Sequence, residues 1–283
     1  MKIGVTGFSG RLGSDLVTNW GCVPMVCNII SNDQILDSID TVHPDVIINC
    51  AAETNVDGCE DIDDEHSKYG KNALLVNFRG VENLQSCFSG PIIHISTDYV
   101  FSGKKGPYKE NDNDYPPVNV YGWTKWAGEV VLLTPRIHNS MVVRTTGLFG
   151  THDDDFVHKL LNVLQSDTHI QSSTELCGNS TYIPFLSRSL LYVAHNLDKF
   201  KDHPILHIAS TDIVSRYSLS LMVCKVFDLD ANLVHPCKNS DITGWVAPRP
   251  INAGLNVRLS KKLGLQQFSV LDGLRRMKID LNL

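Results

Sequence analysis

Residues 2–20, KIGVTGFSGRLGSDLVTNW, decide the fold. The apolar run from Lys2 to Thr6 predicts a strand, the glycine-rich stretch Gly7-Phe8-Ser9-Gly10-Arg11-Leu12-Gly13 a turn, and the segment from Leu12 to Trp20 a helix. A strand that runs through glycines straight into a helix is how dinucleotide-binding sheets begin, because the helix N-terminus then meets the pyrophosphate. Gly7 permits the tight turn, Gly10 allows the phosphates to approach the backbone, and Gly13 lets the helix pack closely. The spacing has one residue more in the first gap than the usual three-glycine fingerprint, so its weight comes from the strand-turn-helix context.

Strand patterns recur near residues 23–27, 46–49, 92–96, 141–144 and 205–208, with helical patterns at 34–40, 73–87, 120–133, 156–164, 185–196 and 218–227. A short late helix is expected to start at Ser260 as N-cap and stop at Gly264. Alternating strands and helices predict an α/β fold with a doubly wound parallel sheet. The charged stretch 60–71 and the stretch 103–117, rich in Gly, Pro, Asn and Asp, read as surface loops.

The second informative stretch is PIIHISTDYVFSG, residues 91–103, followed by YGWTK at 121–125. Tyr121 and Lys125 are four apart on a predicted helix and therefore share one face. A free tyrosine titrates near about 10, so working as an acid near neutrality calls for about 3 units, or about 4 kcal/mol, from a nearby cation and fixed hydrogen bonds. Lys125 is the expected supplier. Thr97 ends a buried strand, where open α/β sheets place their chemistry, and its hydroxyl can hold the same substrate oxygen. Phenol, ammonium and hydroxyl together make a proton donor for a carbonyl.

Six blocks carry a resemblance to a known family: GFSGRLG (7–13), PDVIINCAAETNVDGCE (44–60), ISTDYVFSG (95–103), YGWTKWAGE (121–129), VVRTTGLFG (142–150) and APRPINAGLN (247–256). In order and spacing the chain resembles the dTDP-4-dehydrorhamnose reductase family of the extended short-chain dehydrogenases/reductases. The resemblance implies a nucleotide-binding Rossmann domain over 1–147 and a smaller substrate domain over 148–283, with segments around 183–208 returning to the main sheet. It implies NADPH as cofactor, with NADH as the alternative, held by Gly7, Ser9, Gly10, Arg11, Leu12, Gly13, Ala51, Ala52, Asn77, Tyr121 and Lys125. Thr97, Tyr121 and Lys125 are the implied catalytic set. Thr97 and Asp98 are implied to meet the sugar, while Arg249, fixed between two prolines, suits a diphosphate or a structural salt bridge.

Two departures stand out. Family members carry a Trp near the sugar where this chain has Gly147, which leaves the sugar open. The segment PMVCNIIS, residues 24–31, lacks the acid that binds the ribose 2′-hydroxyl in NAD enzymes, which favours NADPH. The implied activity is reduction of a nucleotide-linked 4-keto-6-deoxy sugar, with dTDP-4-dehydro-L-rhamnose the best match. The alternatives are an epimerase or dehydratase holding NAD tightly, and a noncatalytic subunit resembling the regulatory beta subunit of methionine adenosyltransferase.

Composition agrees. With 283 residues, 42% hydrophobic and 20% charged, the chain can bury a large core. A formal charge of -6 argues against nonspecific nucleic-acid binding. No stretch approaches the roughly 20 apolar residues that cross a bilayer, and the N-terminus reads as strand and turn instead of a signal peptide, so a cytoplasmic location is expected. Eight scattered cysteines without a C-x-x-C pair read as reduced thiols, and the histidines show no metal spacing. The expected partner is a nucleotide sugar, with no nucleic acid and no membrane, and a homodimer is compatible with the chain.

Overall fold

The computed structural model describes residues 1–61, 68–114, 116–134, 140–152 and 155–283. The first half alternates β1 (Ile3–Thr6), α1 (Arg11–Trp20), β2 (Val23–Pro24), α2 (Asn32–Val42) and β3 (Val46–Asn49). Then α3 (Lys68–Leu74) passes through a π-helical turn, Leu75–Arg79, into α4 (Gly80–Cys87), followed by β4 (Ile92–Thr97), α5 (Val120–Leu132) and β5 (Met141–Thr145). The second half is built of shorter pieces: β6 (Leu148–Phe149), α6 (Phe156–Gln165), β7 (Ile170–Ser173), β8 (Cys177–Gly178), β9 (Thr181–Tyr182), α7 (Ile183–His195) and α8 (Leu197–Phe200). It closes with β10 (Ile205–His207), β11 (Val214–Ser215), α9 (Arg216–Phe227), β12 (Val234–Cys237), α10 (Arg258–Lys262) and α11 (Val270–Asp280).

Six strands make one parallel sheet in the order β10-β5-β4-β3-β1-β2. Both faces are covered, because successive strand residues point to opposite sides. Val46 and Ile48 of β3 and Ile93 of β4 pack with Leu16 of α1 and Leu186 and Leu190 of α7. Ile47 and Ile92 face the other way, onto Ile35 of α2, Leu84 of α4 and Leu132 of α5. Each such side chain, fully withdrawn from water, contributes about 1.5–3 kcal/mol. A separate core gathers Leu160 and Leu164 of α6, Leu219 and Val223 of α9 and Leu274 of α11.

The chain leaves β1 toward β2 on one side and then crosses back to lay β3 on the other. At such a reversal the loops after the strands part and leave a crevice at their C-terminal ends. Pro24 shortens β2 to two residues, tolerated because β2 is an edge strand.

Some elements differ from expectation. Of the expected loop at 60–71, residues 62–67 lie outside the described ones, and α3 already begins at residue 68. Ser260 is not a cap: α10 starts at Arg258, and the buried Ser260 hydroxyl donates to Val257 O at 2.9 Å inside the helix. The helix α11 was not anticipated, although Ser269 and Asp272 form a reciprocal capping box at its start.

Candidate active site

Above the C-terminal ends of the sheet lies a cleft of about 550 Å³, lined from both halves of the chain. Its volume is within the range of small-molecule sites. Of the residues predicted from sequence, Ser9, Gly10, Arg11, Leu12, Gly13, Ala52, Thr97, Asp98, Tyr121 and Lys125 line it. Gly7, Ala51, Asn77 and Arg249 do not.

The glycine turn is shaped by close backbone contact. Gly7 has φ +64°, and a Cβ there would stand 2.5 Å from Ala51 N, so no side chain fits. α1 opens at Gly10 with no capping side chain and no acid in its first turn, so its leading amides remain available to an anion. That is a fit for the phosphates of a dinucleotide. Arg11 instead donates to Leu148 O at 3.2 Å, tying the turn to the second half of the chain.

Thr97 caps the turn after β4: its hydroxyl accepts from Tyr99 N at 3.2 Å and donates to Asp98 Oδ1 at 3.0 Å. Asp98 also accepts from the Thr146 hydroxyl at 2.8 Å. Burial pushes the Asp98 carboxyl up to about 6, against the pull of the Thr146 and Thr97 hydrogen bonds. Because its pKa is raised on folding, Asp98 contributes stability that is full below the unfolded value near 4 and is lost as pH rises through about 6. An Asp98→Asn variant should therefore gain on the wild type, by up to about 3 kcal/mol, between acid and neutral pH. Denaturant unfolding of both proteins on each side of that window checks it, and a constant difference would contradict it.

Asn119 caps α5, accepting from Gly122 N at 2.8 Å, and so sets the helix that carries Tyr121 and Lys125. The Tyr121 ring meets Tyr99 edge-on, centroids 5.6 Å apart. Here the structure departs from the expectation that Lys125 lowers the phenol. Burial pushes the Tyr121 hydroxyl up, opposed by the Thr97 hydroxyl, and the Lys125 amine is turned to Ile95 O at 2.7 Å and His94 Nε2 at 3.2 Å. Burial also pulls Lys125 down to about 8. In this resting arrangement Tyr121 is a fully protonated acid, and Lys125 is held beneath it by the sheet.

Asn77, buried in the π-helical turn, accepts from Glu53 N at 2.9 Å and donates to Glu53 O at 3.0 Å and Thr124 Oγ1 at 3.1 Å. It clamps the loop after β3 to α5. Arg249 pairs with Asp57 at 2.6 Å and donates to Ala247 O, which matches the salt-bridge alternative and leaves it outside the cleft lining.

Sequence reasoning missed Arg216, the first residue of α9, which lines the cleft with its guanidinium 4.1 Å above the Phe156 ring. A cation at the positive end of a helix is unfavourable in isolation, and that placement was the available signal. It also missed Glu129 and Arg144, a buried pair behind Lys125.

Gly147 lines the cleft with φ +53°, and a Cβ would stand 3.1 Å from Ser180 Oγ. A Gly147→Trp substitution is therefore expected to destabilise the protein instead of restoring a sugar-stacking ring. Thermal melting decides: an unchanged melting temperature would contradict this. Of the adjoining loop at 148–155, residues 153 and 154 lie outside the described ones.

Residues 1–277 match the sequence model of the family described as RmlD substrate binding domain. Over 278 residues the chain is 33% identical to dTDP-4-dehydrorhamnose reductase of Mycolicibacterium smegmatis, covering 93% of this chain and 80% of the relative. The chain belongs to the dTDP-4-dehydrorhamnose reductase family. A solved structure of this family, the Bacillus anthracis enzyme in complex with NADP, superposes with a TM-score of 0.87 at 26% identity, covering 99% of this chain and 100% of that one. The methionine adenosyltransferase 2 subunit beta of Danio rerio is also similar, 28% identical over 288 residues, with 93% of this chain and 85% of that protein covered.

Proposed function

We propose that the chain is an NADPH-dependent reductase of a nucleotide-linked 4-keto-6-deoxy sugar, converting dTDP-4-dehydro-L-rhamnose to dTDP-L-rhamnose. One observation carries this reading: Thr97, Tyr121 and Lys125 meet in the same cleft as the uncapped glycine turn, in a chain of this family. When bound, the reduced nicotinamide supplies the hydride for C4. Thr97 orients the C4 carbonyl, and Tyr121, protonated at rest, gives its hydroxyl proton to the oxygen as negative charge develops there. Arg216 offers a half-buried guanidinium to the substrate's diphosphate.

The choice of NADPH rests on the missing acid after β2, since Arg11 is committed to Leu148 O. An intact Thr97, Tyr121 and Lys125 set favours an enzyme over a regulatory subunit. The division at residue 147 belongs to the same proposal and is supported by the separate core of α6, α9 and α11. So do a cytoplasmic location, in keeping with eight unpaired cysteines, and a homodimer, for which Trp123 and Val130 on α5 are 44% and 48% exposed. No helix among the described residues is long and apolar enough to cross a membrane.

The test is a panel of dTDP-, UDP- and GDP-linked 4-keto-6-deoxy sugars offered with NADPH or NADH. Oxidation of NADPH is expected to be fastest with the dTDP-linked substrate. A clear NADH preference would overturn the cofactor assignment, and no oxidation with any substrate would overturn the reductase reading.

A further inference from the structure

Behind the cleft a chain of buried polar groups runs from β1 to the site's lysine. The Thr6 hydroxyl donates to Asn49 Oδ1 at 2.7 Å, Asn49 Nδ2 lies 3.0 Å from His94 Nδ1, and His94 Nε2 lies 3.2 Å from Lys125 Nζ. Thr6, Asn49 and His94 are fully buried, and Lys125 is 2% exposed. At this depth each polar hydrogen needs a partner, and the protein groups in reach fix where it goes.

The assignment starts from a backbone amide, which can only donate. Ala51 N donates to Asn49 Oδ1 at 3.2 Å, so the Asn49 carbonyl oxygen faces Ala51 and its NH₂ faces His94. His94 Nδ1 is then the acceptor. An imidazole that accepts at Nδ1 carries its single hydrogen on the other nitrogen, and burial holds His94 neutral. The Nε2–H therefore points at Lys125 Nζ. An ammonium has three donors and no lone pair, whereas the neutral amine can accept from Nε2–H, donate to Ile95 O at 2.7 Å and keep one N–H for the cleft.

We propose that His94 is the positioning residue of the site's lysine, an Nε2–H donor that fixes Lys125 Nζ against Ile95 O and favours its neutral amine over the ammonium in the empty site. The inference rests on the reductase reading for its consequence, not for its geometry. The other groups around Lys125 are Glu129 on its own helix, which favours the ammonium and is itself paired with Arg144 of β5, and the Cys50 thiol after β3, pushed by burial up to about 12. Tyr121 lies one turn away on α5. None of these offers Nζ the hydrogen that His94 does.

Two kinds of measurement test this. Nitrogen-15 spectra of the histidine rings in the free, full-length protein should show His94 as the neutral Nε2–H form, not titrating wherever the fold is intact. The Nδ1–H form would overturn the proposal, because Nε2 would then accept from an ammonium. Second, His94→Leu removes the donor, and His94→Gln replaces it with an amide that can turn its oxygen to Lys125. In whichever variant folds, the Lys125 side-chain titration should move upward by about half a unit or more, and the basic limb of the kcat/KM profile should move with it. An unmoved Lys125 titration would overturn the proposal, since loss of a merely structural contact would lower stability without shifting it. If the protein turns over no nucleotide sugar, the reductase reading fails, yet the ring tautomer and the lysine titration still decide this inference.

Discussion

A Tyr121→Phe variant is expected to lose turnover by about 10²-fold or more while its affinity for NADPH barely changes. Phenylalanine keeps the ring that meets Tyr99 edge-on, so the packing of α5 on the turn after β4 is preserved. Only the hydroxyl is lost. That hydroxyl sits beside Thr97 and is held protonated by burial, the state required of the proposed acid. Near-normal turnover in the variant would show that the proton comes from elsewhere, and a large loss of NADPH affinity would show that the phenol mainly binds cofactor. Steady-state kinetics with a direct binding titration separate the two.

The largest expected effect on stability comes from Arg144→Met. Arg144 and Glu129 are 1% and 2% exposed, and their two parallel hydrogen bonds measure 2.9 and 2.6 Å. Glu129 also accepts from the Ser96 hydroxyl at 2.5 Å, and Arg144 lies over the Phe101 ring at 4.8 Å. Removing the guanidinium strands a carboxylate in a dry interior, which costs about 3–5 kcal/mol. Replacing both partners by apolar residues of similar volume should recover much of that loss, because the cost lies in the unpaired charge more than in the missing attraction. Denaturant unfolding of the single and double variants checks it. A single variant within 1 kcal/mol of wild type, on the order of an exposed pair, would contradict the assignment.

Features set by local rules were legible in the sequence. The turn at 7–13 follows from strand, glycine and helix in succession, and Tyr121 and Lys125 share a helix face because they are four apart. Thr97 was placed because a buried strand ends there. What escaped depends on register and packing between elements. Arg144 meets Glu129 only because β4 and β5 pair with Ser96 opposite Arg144 beneath α5. Asn49 meets His94 only because β3 and β4 pair with the two residues opposite each other, and Lys125 meets His94 because α5 packs on β4. Arg216 reaches the cleft from a helix far along the chain, and Arg249 is claimed by Asp57 of a distant loop. The expected action of Lys125 on Tyr121 was drawn from spacing alone, and spacing does not say which way an amine turns.

In this cleft hydride is expected to pass to C4 of a dTDP-linked 4-keto sugar. Incubating the protein with dTDP-4-dehydro-L-rhamnose and NADPH carrying deuterium on the transferred position tests it most directly. The expected product is dTDP-L-rhamnose with one deuterium at C4, formed as NADPH is consumed and about 10²-fold or more slower in Tyr121→Phe. Unconsumed NADPH, or a product with deuterium at any other carbon, would contradict it.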